Sequence, residues 1–264
     1  MKDLKKIKLF LLDMDGTIYL DNDLFDGTLD FLDYVKKIGG RYIFLTNNSS
    51  KSVDKYIEKL ESLGITAGVD DFLTSTNATV LYLKKKNYHK IYALGTESFK
   101  EQLAEAGLPI TDVLEDGIDC LCMGFDTELT FKKLEDACIL LRDDIDYIAT
   151  NPDWVCPTWY GYVPDCGSVS QMICNATGKM PKFIGKPQPD MALLAMEKTG
   201  YSKEETAVMG DRLYTDIACG VNAGISTIFV LSGEGTMADV EKNEAKPKYI
   251  FKNIKELYDK LINE

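Results

Sequence analysis

The chain has no stretch that approaches the roughly 18 apolar residues in a row that a membrane helix needs, so none of its segments reads as a transmembrane span. Its charged start, Met1 to Lys8, runs into an apolar stretch too short for the core of a secretion signal, and a cytoplasmic protein is expected. Dense basic runs are also missing. With 42 Asp and Glu against 30 Lys and Arg, the net charge of −12 repels nucleic-acid backbones and anionic membranes, so neither is expected as a partner. Histidine occurs once, at His89 in the polar stretch Lys84 to Lys90, which argues against a zinc site and for a solvated side chain. Seven cysteines include no Cys-x-x-Cys pair, and reduced thiols are expected. Any bound anion must therefore be held locally, by a metal, a few cations and main-chain N–H groups.

What is present is a rhythm. At 264 residues, 45% hydrophobic and 27% charged, the composition is that of a globular protein with room for one large core or two smaller ones. Short apolar runs alternate with helix-length amphipathic segments, the signature of α/β architecture with a parallel sheet. Ile7 to Leu12 and Tyr42 to Thr46 read as buried strands. Between them Leu29, Leu32, Val35 and Ile38 recur at helical spacing, and Gly39-Gly40 ends that helix. Farther on, Ile91 to Leu94, Leu121 to Met123 and Tyr147 to Thr150 read as strands of a sheet of their own. Pro152 to Gly167 carries three prolines besides Trp154, Trp159, Tyr160 and Tyr162, and irregular structure is expected there. Strand and helix patterns then resume, with Ala207 to Asp211 and Thr227 to Leu231 as further strands.

In an open parallel sheet the ligand crevice lies beyond the carboxyl ends of the strands, so polar residues that follow strands carry most information. Four groups stand out: Asp13 with Asp15, Thr46-Asn47-Asn48, Lys186, and Asp211 with Asp216. Taken singly, each has an ordinary explanation. Asp13 or Asp15 could cap a turn or helix, Lys186 could be a surface lysine, and the segment after Thr46 could be a helix cap. Two aspartates followed by Gly16-Thr17 at one turn can instead hold both Mg²⁺ and a phosphate, and Asp211 at the end of a second buried strand strengthens that reading. Magnesium prefers oxygen ligands, a few carboxylates and the substrate phosphate. Asp13, the Asp15 main-chain carbonyl and Asp211 would meet that demand.

Together the residues resemble the four-part signature of the haloacid dehalogenase superfamily: Asp13-x-Asp15-Gly16-Thr17, Thr46, Lys186, and Gly210-Asp211-x-x-x-x-Asp216. The long α/β insertion between Thr46 and Lys186 resembles the type IIA cap of NagD-like and 4-nitrophenylphosphatase-like members. The resemblance implies a doubly wound parallel Rossmann-like core, residues 1–77 and 182–264, with a smaller α/β cap domain, 78–181, inserted in it. It implies a magnesium-dependent phosphatase for small phosphorylated metabolites such as sugar, glycerol, nucleotide or pyridoxal phosphates. Asp13 would be the nucleophile that forms an aspartyl phosphate, and Asp15 the acid and then the base. Thr46, Asn47, Asn48 and Lys186 would bind the substrate, with Mg²⁺ on Asp13, Asp15 and Asp211 and with Asp216 supporting the metal or Lys186. Asp15 itself separates phosphatases and phosphomutases from the family's ion pumps and dehalogenases. The remaining alternatives are a phosphomutase or phosphotransferase, against which the large insert speaks, and a non-catalytic phosphate-sensing module. A homodimer through the cap is a further expectation. The cap residues Asp153, Trp154, Trp159, Asp165 and Cys166 have no assigned role: stacking on a leaving group and internal packing both fit the aromatics.

Overall fold

A computed structural model describes residues 3–158 and 160–263. The chain divides into two compact units, one formed by the residues up to Thr46, by Val53–Leu73 and by the residues from Lys186 onward, the other by Asn47–Ser52 and Thr74–Gly185. The sequence placed these boundaries at 77/78 and 181/182. None of the described helices is long and apolar enough to cross a membrane.

The first unit is built on a six-stranded sheet, in which the five strands from Arg41–Thr46 to Tyr249–Phe251 pair in parallel. From one edge to the other its strands are Phe72–Thr74, Arg41–Thr46, Leu9–Leu12, Thr206–Gly210, Ser226–Val230 and Tyr249–Phe251. In chain order that is 3-2-1-4-5-6, the arrangement of doubly wound α/β proteins. Leu9–Leu12 and Thr206–Gly210 are buried at every position, as strands covered on both faces must be. The helix Thr28–Lys37 lays Phe31, Leu32 and Val35 on this sheet, with Phe31 edge-on to Phe10 at 5.1 Å between ring centres. The strand order reverses between Leu9–Leu12 and Thr206–Gly210, and a ligand crevice is expected where such neighbours part.

The second unit holds its own parallel sheet, in the order Lys182–Phe183, Asp146–Ala149, Cys120–Met123, Ile91–Leu94, Ile110–Thr111. Tyr92, Leu94, Leu121, Met123 and Ile173 fill its core. Cys120 and Cys122 are buried in the central strand and unpaired, in keeping with small apolar packing.

Two local features differ from the sequence reading. Within the stretch expected to be irregular, Val155–Thr158 and Gly161–Pro164 pair as an antiparallel ribbon. A two-stranded ribbon has only edge strands, the place in a sheet where proline is tolerated. The helix Ser75–Lys86 also escaped periodicity, because its ends hold it as much as its apolar face does. Thr74 and Asn77 cap it reciprocally, and Lys84, Lys85 and Lys86 crowd its last turn, where cations suit the helix dipole.

Candidate active site

Leu12 pairs with Met209 on the neighbouring strand, and the Asp13 N–H donates to Met209 O at 2.9 Å. Asp13 and Asp211 thus emerge side by side where the strand order reverses. Beyond Asp211 the chain winds into a π-helical turn, Leu213–Ile217, which carries Asp216 back toward the strand end. Such turns are rare and concentrate at functional sites. The outcome is a group in which one carboxylate oxygen from each of Asp13, Asp211 and Asp216 lies within 4.8 Å of the others.

Three carboxylates this close repel one another, and one cation offsets part of the charge. Lys186 Nζ donates to Asp13 Oδ1 and Asp216 Oδ1, both at 2.6 Å, and to Leu45 O at 2.9 Å. Its three protons have three acceptors, the condition under which an ammonium tolerates burial at 2% exposure. Burial alone would lower the Lys186 pKa, but the charges of Asp13 and Asp216 outweigh it and hold the lysine protonated. Asp13 is pushed well above the usual carboxylate range by burial, against the pull of Lys186 and with the repulsion of Asp216 and Asp211 added. Burial, reinforced by Asp216, raises Asp211 to about 6.

The donor set suits a hard divalent cation. Every candidate ligand is oxygen, and buried Asp211 Oδ1 has no hydrogen-bond partner among the described residues, whereas Oδ2 accepts the Glu234 N–H at 2.7 Å. Such an orphaned buried oxygen is costly unless something fills its coordination. Asp216 is committed differently, with Oδ1 on Lys186 and Oδ2 on the Arg212 N–H at 3.1 Å.

Asp15 keeps its carboxylate outside this group. Its Oδ2 accepts from the Tyr19 hydroxyl at 3.4 Å, and its Oδ1 lies 3.6 Å from Lys59 Nζ, which sits over the Tyr19 ring at 3.8 Å from its centre. The turn between them is fixed by main-chain bonds, with Gly16 N donating to Tyr19 O at 2.8 Å and Ile18 N to Met14 O at 3.0 Å. Gly16 has φ +84°, and a Cβ there would stand 2.6 Å from Asp211 Oδ2, so both conformation and space demand glycine. Neither Lys59 nor Tyr19 stands out in the sequence: Lys59 is one of two lysines on the amphipathic helix Val53–Ser62, and nothing local marks it.

Thr46 ends its strand next to Leu45, whose carbonyl holds Lys186, and is buried. Asn47 and Asn48 belong to the second unit. There the Asn47 carbonyl accepts from Ser75 Oγ at 2.6 Å and its side-chain amide donates to Asp153 Oδ1 at 3.3 Å. Asn48 Oδ1 accepts from Ser50 N and Oγ at 2.9 and 2.8 Å. In the same unit Asn151 Nδ2 bridges Asp153 Oδ2 at 3.1 Å and Asp165 Oδ1 at 3.3 Å, and Asp165 caps the helix Cys166–Thr177. Burial pushes the Cys166 thiol up to about 12, which marks it as a packing residue. Trp154 is half exposed, and Trp159 lies outside the described residues. His89 is a surface residue whose imidazole pairs with Asp119 at 3.1 Å.

Known proteins are similar to this chain in sequence and in fold. The haloacid dehalogenase-like hydrolase model matches residues 10–109, and a HAD-hydrolase-like model matches 183–257. An acid sugar phosphatase of Staphylococcus aureus is 36% identical over 254 residues, 96% of this chain and 97% of that protein. The chain belongs to the haloacid dehalogenase-like hydrolases. This hydrolase superposes on a 4-nitrophenylphosphatase of Thermotoga maritima with a TM-score of 0.92 and 43% identity, over 98% of this chain and 99% of the other. The glycerol phosphate phosphatase of Mycobacterium tuberculosis in complex with magnesium matches with a TM-score of 0.90 and 29% identity, over 97% of this hydrolase and 77% of that chain. The same protein is also known with calcium. This hydrolase is a phosphatase of the NagD-like, 4-nitrophenylphosphatase-like branch.

Proposed function

We propose that this phosphatase is Mg²⁺-dependent, hydrolyses small phosphate monoesters, and works through an aspartyl phosphate on Asp13. The observation that carries the reading is the pairing of a nucleophile candidate held by Lys186 with a neighbouring Asp211 oxygen that has no hydrogen-bond partner among the described residues. The named activities of the relatives, on acid sugar phosphates, 4-nitrophenyl phosphate and glycerol phosphate, support a small monoester.

Asp13 attacks phosphorus, forming an O–P bond as the ester O–P bond breaks. Asp15 gives its proton to the leaving oxygen. In the second half Asp15 takes a proton from water as that water attacks phosphorus, which releases phosphate and restores the Asp13 carboxylate. Lys186 fixes one Asp13 oxygen and, with Thr46, faces the phosphoryl oxygens. Asp13, Asp211 and the Asp15 carbonyl would hold Mg²⁺, whose charge, when it is bound, offsets the repulsion between the Asp13 carboxylate and the phosphate dianion. Asp216 orients Lys186.

The test is release of phosphate from 4-nitrophenyl phosphate with added Mg²⁺. The parent turns over and Asp13→Asn does not; full activity in Asp13→Asn defeats the reading. A panel of phosphorylated metabolites then ranks the substrates.

A further inference from the structure

Two main-chain N–H groups aim the carboxylates of the site. Arg212 N donates to Asp216 Oδ2 at 3.1 Å, and Glu234 N donates to Asp211 Oδ2 at 2.7 Å. These two donors come from different loops, and their side chains are joined: Arg212 Nε lies 2.9 Å from Glu234 Oε2. The Tyr214 hydroxyl donates to the other Glu234 oxygen at 3.2 Å. Around Glu234, Gly235 N donates to Asp211 O at 3.0 Å and Ser232 Oγ to Gly16 O at 2.7 Å. A Cβ at Gly233 would fall 2.0 Å from Asp211 Oδ2, so the loop is pressed against that carboxylate.

We propose that Glu234 is a positioning residue for the metal carboxylate: clamped by Arg212 and Tyr214, it keeps its own N–H on Asp211 Oδ2 and so leaves Oδ1 directed to the cation. The proposal rests on the reading that Asp211 holds the metal. A loop containing Gly233 and Gly235 loses much conformational freedom when it is ordered, and the clamp offsets that loss. With the clamp removed, the N–H leaves Oδ2 for part of the time, and Asp211 rotates away from the geometry a small octahedral ion demands. An ordinary surface ion pair would add little to stability and nothing to metal affinity.

The experiment is calorimetric titration of the metal-stripped, full-length protein with Mg²⁺, alongside its melting temperature without metal. Glu234→Ala is expected to raise the Mg²⁺ dissociation constant about 10- to 100-fold, the usual effect of losing a residue that orients a metal ligand. Turnover of 4-nitrophenyl phosphate should fall at low Mg²⁺ and recover in part as Mg²⁺ is raised, with KM for the ester little changed. Glu234→Gln keeps the size and an acceptor for Tyr214 but loses the charge facing Arg212, and should fall between. Unchanged Mg²⁺ affinity in Glu234→Ala overturns the proposal. If Glu234→Ala melts markedly lower without metal, Glu234→Gln carries the decision by the same criterion. Asp211→Asn separates the two levels: undiminished Mg²⁺ binding there defeats the metal reading itself, and this proposal with it.

Discussion

Lys186 Nζ and Asp216 Oδ1 lie 2.6 Å apart, with side chains 2% and 1% exposed. Two charges so far from water are stable only as partners, and Asp13 Oδ1 shares the same ammonium at 2.6 Å. Lys186→Met leaves two carboxylates facing each other with no cation between them. The expected loss of unfolding free energy is about 3–5 kcal/mol, the cost of breaking a buried pair. Adding Asp216→Asn should restore part of that stability in urea melts but none of the activity. A Lys186→Met protein as stable as the parent would show that the pair does not hold the site together.

Substitution at Gly16 separates backbone strain from simple crowding. Alanine at Gly16 meets both a φ of +84° and the Asp211 carboxylate. Gly16→Ala should cost more than about 1 kcal/mol, as substitutions at incompatible glycines do, and should weaken Mg²⁺ binding because Asp211 must yield. Gly39→Ala has a comparable φ of +69° but nothing within 4 Å, so it should share the stability loss and keep the metal affinity.

Much of the site could be read from the sequence because its residues follow buried strands. Asp13 and Asp211 close four- and five-residue apolar strands, and strand ends are where a parallel sheet places chemistry. Asp216 could be picked out by spacing, but the π-helical turn that delivers it was hidden, since one residue of extra winding leaves no mark in hydrophobic periodicity. The ribbon of Val155–Thr158 and Gly161–Pro164 is hidden in the sequence because proline argues against a strand only in the interior of a sheet. Lys59 beside Asp15 and Glu234 beside Arg212 were invisible for another reason. They are ordinary charged residues whose partners lie far off in the chain, and only the folded sheet brings them together.

Acid should reach the second unit through Asp119. Burial would raise its pKa, but donation from the His89 and Lys90 N–H groups at 2.8 and 3.1 Å, and from the His89 ring, lowers it overall. A folded-state pKa below the unfolded value contributes stability that is fully present above the unfolded value near 3.9 and is lost as pH falls through the lowered one. Asp119→Asn should therefore be less stable than the parent at neutral pH and lose less on going from pH 5 to about 2.5, as read by urea midpoints across that range. Parallel curves for the two proteins would remove Asp119 from the account.

Leaving-group chemistry tests Asp15 apart from the rest of the site. A 4-nitrophenolate departs without a proton, whereas the alkoxide of a sugar or glycerol phosphate needs one. If Asp15 is the acid, Asp15→Asn should slow alkyl esters by about 10²–10⁴, the usual worth of general acid catalysis, and slow breakdown of the 4-nitrophenyl ester far less. Asp15 also serves as base in the second half, so the comparison belongs on the first half alone, by rapid-quench measurement of phosphoenzyme formation. Asp13→Asn abolishes that step for both esters alike, which separates loss of the nucleophile from loss of the acid. An Asp15→Asn enzyme that slows both esters equally would mean that Asp15, half exposed and tied to Tyr19 and Lys59, shapes the turn rather than moving the proton.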